Sequence, residues 1–138
     1  MNTSLPVATI MSKNVVVANQ FHNFSQVLTL FSEFPIHHLP IVDVNNKLIG
    51  IISSNDIMRL FRNPKYSDVK LNAQELDAIV NLPDIMTPNP ISVSPKDTIK
   101  KAARIFAENK FQALPVVSDG EIVGILSVKD MVELVAAE

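Results

Sequence analysis

Two short patterns in the chain carry groups that could do chemistry. Ser53-x-x-Asp56 and Ser127-x-x-Asp130 each place a hydroxyl three residues before a carboxylate, ahead of an apolar run. At the start of a helix, free backbone N–H groups and the positive end of the dipole favour an anion. A carboxylate there can accept hydrogen bonds from two vicinal hydroxyls, the geometry of a ribose. The same spacing is also a capping box, in which hydroxyl and carboxylate satisfy backbone N–H groups of the helix itself. Capping alone explains either copy.

His37-His38 is the next candidate. Adjacent residues on a strand point to opposite faces, so the two make a poor chelate, and no third ligand follows at a metal-site spacing. One of them could face a phosphate and make its binding pH-dependent; the plain alternative is a histidine at a strand edge. His22 sits at a helix start, where local bonding suffices. Lys100, Lys101 and Arg104 form a basic patch that reads as the solvated face of a helix. Arg59 and Arg62 end another helix, where cations suit the dipole.

Composition narrows the classes. The chain has 138 residues, 47% hydrophobic and 19% charged, enough to bury a core. Its net charge of −2 offers no basic face for nucleic acid. There is no apolar run of the ~18 residues a membrane span needs, and the first residues lack the pattern of a signal peptide. Cysteine is absent, which removes disulfides, thiol nucleophiles and thiolate metal sites. The three glycines, Gly50, Gly120 and Gly124, form neither a Walker loop nor a dinucleotide fingerprint. A soluble cytoplasmic protein without nucleic-acid or membrane partners is expected.

The elements that must position these residues come in two copies. Ile10-Met11-Ser12-Lys13-Asn14 returns 75 residues later as Ile85-Met86-Thr87-Pro88-Asn89, and Leu39-Pro40-Ile41-Val42 returns as Leu114-Pro115-Val116-Val117. One residue fewer in the following turn reduces the shift to 74. Gly50-Ile51-Ile52-Ser53-x-x-Asp56 then matches Gly124-Ile125-Leu126-Ser127-x-x-Asp130. Each copy reads β-α-β-β-α. A β-prone run comes first, Val15-Val16-Val17 in one copy and Ile91 with Val93 in the other. A helix follows, with an apolar stripe of Phe24, Val27, Leu28 and Phe31, or Ile99, Ala102, Ala103 and Phe106. In the second copy Ser94 reads as its N-cap, with Pro95 in the first turn and Asp97 three residues on. A hairpin of strands 39–42 and 48–52, or 114–117 and 122–126, is expected to be buried on both faces. A closing helix runs from residue 54 to about 61, or from 128 to about 135.

The boundaries read from the repeat are 5–62 for the first copy, 63–83 for a connector and 84–138 for the second copy. The connector lacks glycine, and Asn72-Ala73-Gln74-Glu75 resembles a capping box opening a short helix with Leu76, Ile79 and Val80 inside. A single copy of about 50 residues buries too little surface to stand alone, so the two should pack together. Ile57, Met58, Leu60 and Phe61 of the first closing helix correspond to Met131, Val132, Leu134 and Val135. At about 100° per residue they cover an arc of roughly 160°, wider than one core face needs. Either that surplus is satisfied within one chain or it pairs two chains.

In their order and duplication, Ile-Met-Ser/Thr, Leu-Pro-Ile/Val-Val and Gly-x-x-Ser-x-x-Asp resemble the cystathionine β-synthase (CBS) domain. Two in tandem make a CBS pair, or Bateman module, and the resemblance covers residues 5–135. It implies an α/β (α+β) fold of two β-α-β-β-α repeats packed with pseudo-twofold symmetry, and a non-catalytic regulatory role. The clefts between such repeats commonly hold an adenosine nucleotide: AMP, ADP, ATP or S-adenosylmethionine. By resemblance, Asp56 and Asp130 hold the ribose and Ser53 and Ser127 approach the phosphate. His37 and His38, just before Leu-Pro, can also touch phosphate, and the adenine lies near Val15-Val16 or Pro90-Ile91. At the positions of His37-His38 the second copy has Gln112-Ala113, which implies that one cleft prefers more phosphate charge than the other. The resemblance requires no cofactor and leaves Mg2+ open as a companion of the ligand. It implies a homodimer through the repeat helices, as a flat disc of four repeats. With no effector domain in the sequence read, the signal would pass to a separate, unidentified effector protein. A structural or dimerisation module with empty clefts is the rival reading, and an enzyme is disfavoured because no nucleophile–base pair, metal cluster or glycine loop is recognisable.

Overall fold

The computed structural model describes residues 1–66 and 72–138, so the stretch 67–71 of the expected connector lies outside the described residues. Packing divides the chain into two compact units: Val16–Asn89, and Met1–Val15 together with Pro90–Glu138. The first of these is built from β1 (Ala18–Asn19), α1 (Phe24–Glu33), β2 (His38–Val42), β3 (Leu48–Ser53), α2 (Ser54–Arg62), α3 (Ala73–Ile79), α4 (Leu82–Ile85) and β4 (Thr87–Pro88). The second holds α5 (Ile99–Glu108), β5 (Ala113–Ser118), β6 (Glu121–Ser127) and α6 (Val128–Ala136), with a 3-10 turn at Val7–Thr9. Each repeat therefore has its opening Ile-Met segment in the unit that holds the other repeat's hairpin.

In the unit Val16–Asn89 the sheet order is β1-β2-β3-β4, with β1 parallel to β2 and the other pairs antiparallel. The other unit repeats this plan in a shorter form. Val93 bridges Val116 in parallel, β5 pairs with β6, and Ser12 bridges Ile125 antiparallel. These bridges fall where the 75- and 74-residue shifts carry Ala18–Ile41 and Ile51–Thr87. Both hairpins slip register at one place, between Ile41 and Val42 and between Val116 and Val117. The missing residue is accounted for by the turns. Asp119 and Gly120, with φ of 53° and 79°, make a tight two-residue turn, whereas Asp43 holds a longer loop by accepting from the amides of Asn45 and Lys47 at 2.8 and 3.0 Å.

The expected strand at Val15–Val17 is not formed, and that at Ile91–Val93 shrinks to one bridge. The reason lies in the neighbouring strand. The Val93 amide donates to the Pro115 carbonyl at 3.0 Å and the Val117 amide donates to Val93 at 2.8 Å. The next bond upstream would need an N–H at position 115 to reach the carbonyl of Ile91, and proline has none. Pro40 has the same effect in the other unit, so pairing there begins only at Ala18–Ile41.

Ser94 is not the N-cap of α5. Thr98 is, with its hydroxyl accepting from the Lys101 amide at 3.1 Å. The bonds an earlier helix start would need are spent on the N-terminal segment: Pro95 and Asp97 carbonyls accept from Ala8 and Val7, and Ile99 donates to Leu5. Ser94 and Asp97 close a turn instead, the Ser94 amide donating to Asp97 Oδ2 at 2.8 Å. That bond, helped by Lys101, holds the Asp97 carboxyl below its usual range. In the first repeat the corresponding acceptor is His22 Nδ1, which takes the Asn19 amide at 2.9 Å.

The core of the unit Val16–Asn89 gathers Phe24, Val27, Leu39, Ile41 and Ile52, all fully buried. Each such side chain contributes about 1.5–3 kcal/mol on leaving water. The connector joins this core through Leu76, Val80 and Leu82, while Ile79 points outward at 39% exposure, against expectation. Asn72 caps α3 by accepting from Glu75, and Asp77 reaches the start of α1, accepting from the Ser25 amide at 2.7 Å and its hydroxyl at 2.6 Å. The other core holds Val7, Val93, Ala102, Leu114, Val116 and Leu126. Ala103, placed in the stripe by periodicity, is exposed. The hairpins are not buried on both faces: β2 is buried from Leu39 to Val42, but β3 and β6 bury only alternate residues, and Val123 is 36% exposed.

Gly50 and Gly124 sit where the opening Ile-Met segments dock. A Cβ on Gly50 would lie 2.5 Å from Met86 Sδ, and one on Gly124 would lie 2.5 Å from Met11 Sδ and 3.1 Å from the Ser12 carbonyl. Gly50→Ala should destabilise the fold by about 1–2 kcal/mol through overpacking. Denaturant titration should also show non-additivity with Met86→Ala, because the truncated side chain makes room for the methyl. Additive effects would mean that the contact does not set the glycine requirement.

Candidate functional site

The hairpin ends build the site. In the unit Val16–Asn89, β3 runs into α2 at Ser53, whose partner across the ladder is His38. The Ser54 amide donates to the His37 carbonyl at 2.9 Å. The Asp56 amide donates to Ser53 Oγ at 3.1 Å, and the Ser53 amide donates to Asp56 Oδ2 at 2.8 Å. His37, His38, Ser53 and Asp56 are thus one cluster, with Val16 packed against the core of the same unit.

The other unit repeats the arrangement to the same distances. The Asp130 amide donates to Ser127 Oγ at 3.1 Å and the Ser127 amide to Asp130 Oδ2 at 2.8 Å. Ala113 pairs with Ser127, and Val128 donates to the Gln112 carbonyl at 2.9 Å. Val15, Pro90 and Ile91 belong to this unit, with Ile91 49% exposed. Neighbours in sequence, Val15 and Val16 therefore fall in different units.

Both Ser-x-x-Asp patterns are complete capping boxes. The box uses one carboxylate oxygen and one lone pair of the hydroxyl. It leaves Asp Oδ1 able to accept two further hydrogen bonds, and the serine hydrogen able to be donated to an anion. Asp56 is mostly buried, its side chain 17% exposed, with Arg59 Nη1 3.7 Å from Oδ1. Besides suiting the helix end, Arg59 lies i,i+3 from Asp56, the spacing at which side chains on one helix face meet. At the position of Arg59 the other repeat has Glu133, which Lys129 approaches at 3.8 Å.

His38 is half-buried, and burial pushes its pKa below 6.5, helped by the neighbouring His37 and opposed by Asp56. Among the described residues, no three His, Asp or Glu side chains gather closely enough to hold a metal ion. No described helix is long and apolar enough to cross a membrane.

A chain of two β-α-β-β-α repeats, each closing on a Ser–Asp box at the exit of its hairpin, is a tandem-repeat α/β module. It belongs to the CBS-domain family, which matches residues 7–63 and 83–137. Among its relatives, the chloroplastic CBS domain-containing protein CBSX1 of Arabidopsis thaliana is 32% identical over 120 residues, 74% of this chain and 51% of that protein. The chain spans about half the length of the curated relatives it matches. Among solved structures, Arabidopsis CBSX2 in complex with AMP has a TM-score of 0.78 at 28% identity, over 96% of this chain and 97% of that one. The CBS domain pair of protein MJ0100, in complex with 5′-methylthioadenosine and S-adenosylmethionine, has a TM-score of 0.80 at 26% identity, over 96% of both chains.

The depressed pKa of His38 makes a pH prediction. Between the ordinary histidine pKa and the lower folded value, the unfolded chain takes up a proton that the folded chain refuses. Stability is therefore unaffected by His38 above about pH 6.5 and falls as pH drops through that value toward the folded pKa. Urea denaturation at pH 7.5 and 5.5 should show a smaller loss for His38→Gln than for the parent. An equal loss would assign the pH dependence to other groups.

Proposed function

We propose that the chain is a non-catalytic regulatory module that binds an adenosine nucleotide, AMP, ADP, ATP or S-adenosylmethionine, in clefts between its CBS repeats. Asp56 and Asp130 hold the ribose hydroxyls. Ser53, Ser127, His37 and His38 meet the phosphate, and Val15, Val16, Pro90 and Ile91 flank the adenine. The observation that carries this reading is the paired boxes: two carboxylates held rigidly by their caps, each with an oxygen to spare. The likeness over nearly the full chain to CBS pairs that hold AMP, or 5′-methylthioadenosine and S-adenosylmethionine, supports the ligand class. Binding stabilises one arrangement of the repeats by its differential affinity for that arrangement, and a separate effector protein, acting in the cytoplasm, reads the result. Two copies associate through the closing helices, where Met58 is 57%, Val132 60% and Val135 56% exposed.

A second reading, a structural or dimerisation module with empty clefts, is favoured by the same boxes, because capping accounts for Ser and Asp without any ligand. A thermal-shift panel separates the two. A ligand at a hundred times its Kd adds about 2.7 kcal/mol, which for a chain of this length raises Tm by roughly 9 °C. Adenosine ligands should raise Tm and GTP should not, and the double variant Asp56→Ala/Asp130→Ala should lose the response. A flat panel supports the empty-cleft reading.

The dimer has its own check. Val132→Asp should convert the chain from dimer to monomer in sedimentation velocity while its circular dichroism stays native. A parent chain that sediments as a monomer removes this part of the proposal.

A further inference from the structure

The two boxes have the same geometry, but the side chains around them do not carry the same charge. Beside Asp56 stand Arg59, 3.7 Å from its Oδ1, and His38 at the paired strand end, with His37 the residue before it. Beside Asp130 the equivalent positions hold Glu133, Gln112 and Ala113. Lys129 stands one residue before Asp130, but its ammonium lies 3.8 Å from Glu133, which offsets it. Leaving the imidazoles aside, Asp56 with Arg59 sums to zero, whereas Asp130 with Lys129 and Glu133 sums to −1. An anionic ligand group approaching the second box meets an uncompensated carboxylate that it does not meet at the first.

Resting on the reading of both boxes as ribose sites, we infer that the two sites are specialised: the Asp56 site takes a phosphorylated adenosine, and the Asp130 site takes an adenosine without phosphate, such as a 5′-thioether nucleoside. The physical basis is the difference in charge at fixed geometry. The common box grips the part shared by all adenosine ligands, while Arg59 and the histidines, or Glu133, select what hangs from the 5′ carbon. Charge-assisted bonds to phosphate are stronger than neutral ones, so they discriminate at the first site. At the second site the net negative charge left after Lys129 is paired with Glu133 repels a phosphate and tolerates a neutral or cationic substituent.

Isothermal titration of the whole chain with AMP and, separately, 5′-methylthioadenosine tests this. Asp56→Ala should weaken AMP about tenfold or more and leave 5′-methylthioadenosine within about threefold; Asp130→Ala should do the reverse. Arg59→Glu should weaken AMP alone, and Glu133→Arg should add a second AMP site per chain. These two exposed charge changes do not touch the cap bonds, so they remain informative if an alanine variant misfolds. AMP affinity at the first site should also fall with added salt more steeply than that of the uncharged nucleoside. Equal losses of both ligands in each alanine variant, or AMP loss confined to Asp130→Ala, would overturn the specialisation while leaving nucleotide binding intact. No binding of either probe to the parent chain would overturn the binding proposal itself.

Discussion

The contact on which the architecture depends is a methionine lying against a glycine. Met86 covers Gly50 and Met11 covers Gly124, and in each case the missing Cβ is what lets the sulfur approach. The contact lies at the edge of the sheet, where the opening segment pairs with the last strand of the hairpin. It brings a segment from the start of one repeat against the hairpin of the other. A Cβ at either glycine would crowd the methionine sulfur, and at Gly124 also the Ser12 carbonyl, and so strain the docking of that segment against the strand. The duplicated Ile-Met and Gly-x-x-Ser motifs are thus two halves of one fitting.

The hairpin held in this way delivers its last residue as a helix cap. Ser53 and Ser127 are both the end of a strand and the N-cap of a helix, so sheet and helix fix the same side chain from two directions. A rigid carboxylate loses little conformational entropy when it accepts a further hydrogen bond. The box thus fixes each carboxylate through four atoms, the serine amide and hydroxyl oxygen and the aspartate amide and Oδ2, and leaves Oδ1 outside it. This explains why Ser-x-x-Asp recurs in both repeats even though the residues around it diverge.

Much of this was legible in the sequence because it is local or repeated. The order of elements, the closing helices starting at residues 54 and 128, and both capping boxes follow from spacing alone. What escaped was set by partners far away in the chain. The short first strands depend on Pro40 and Pro115, which lack the donor the next rung would use. The late start of α5 depends on Leu5, Val7 and Ala8 occupying bonds that a longer helix would need. The approach of Asp77 to the start of α1 joins residues 52 apart, which periodicity does not reach. At the site, the place of Arg59 in the last turn of α2 accounts for its charge by itself, which masks its i,i+3 contact with Asp56.

The most direct test of the central claim, that adenosine ligands bind on the boxes, is amide chemical-shift mapping of the full chain titrated with AMP. The account predicts saturable shifts at the amides of Ser53 and Asp56, whose bonds run through the box, and at His37 and His38 beside it. Saturable shifts elsewhere that leave both boxes unmoved, or no shifts at all, would contradict it.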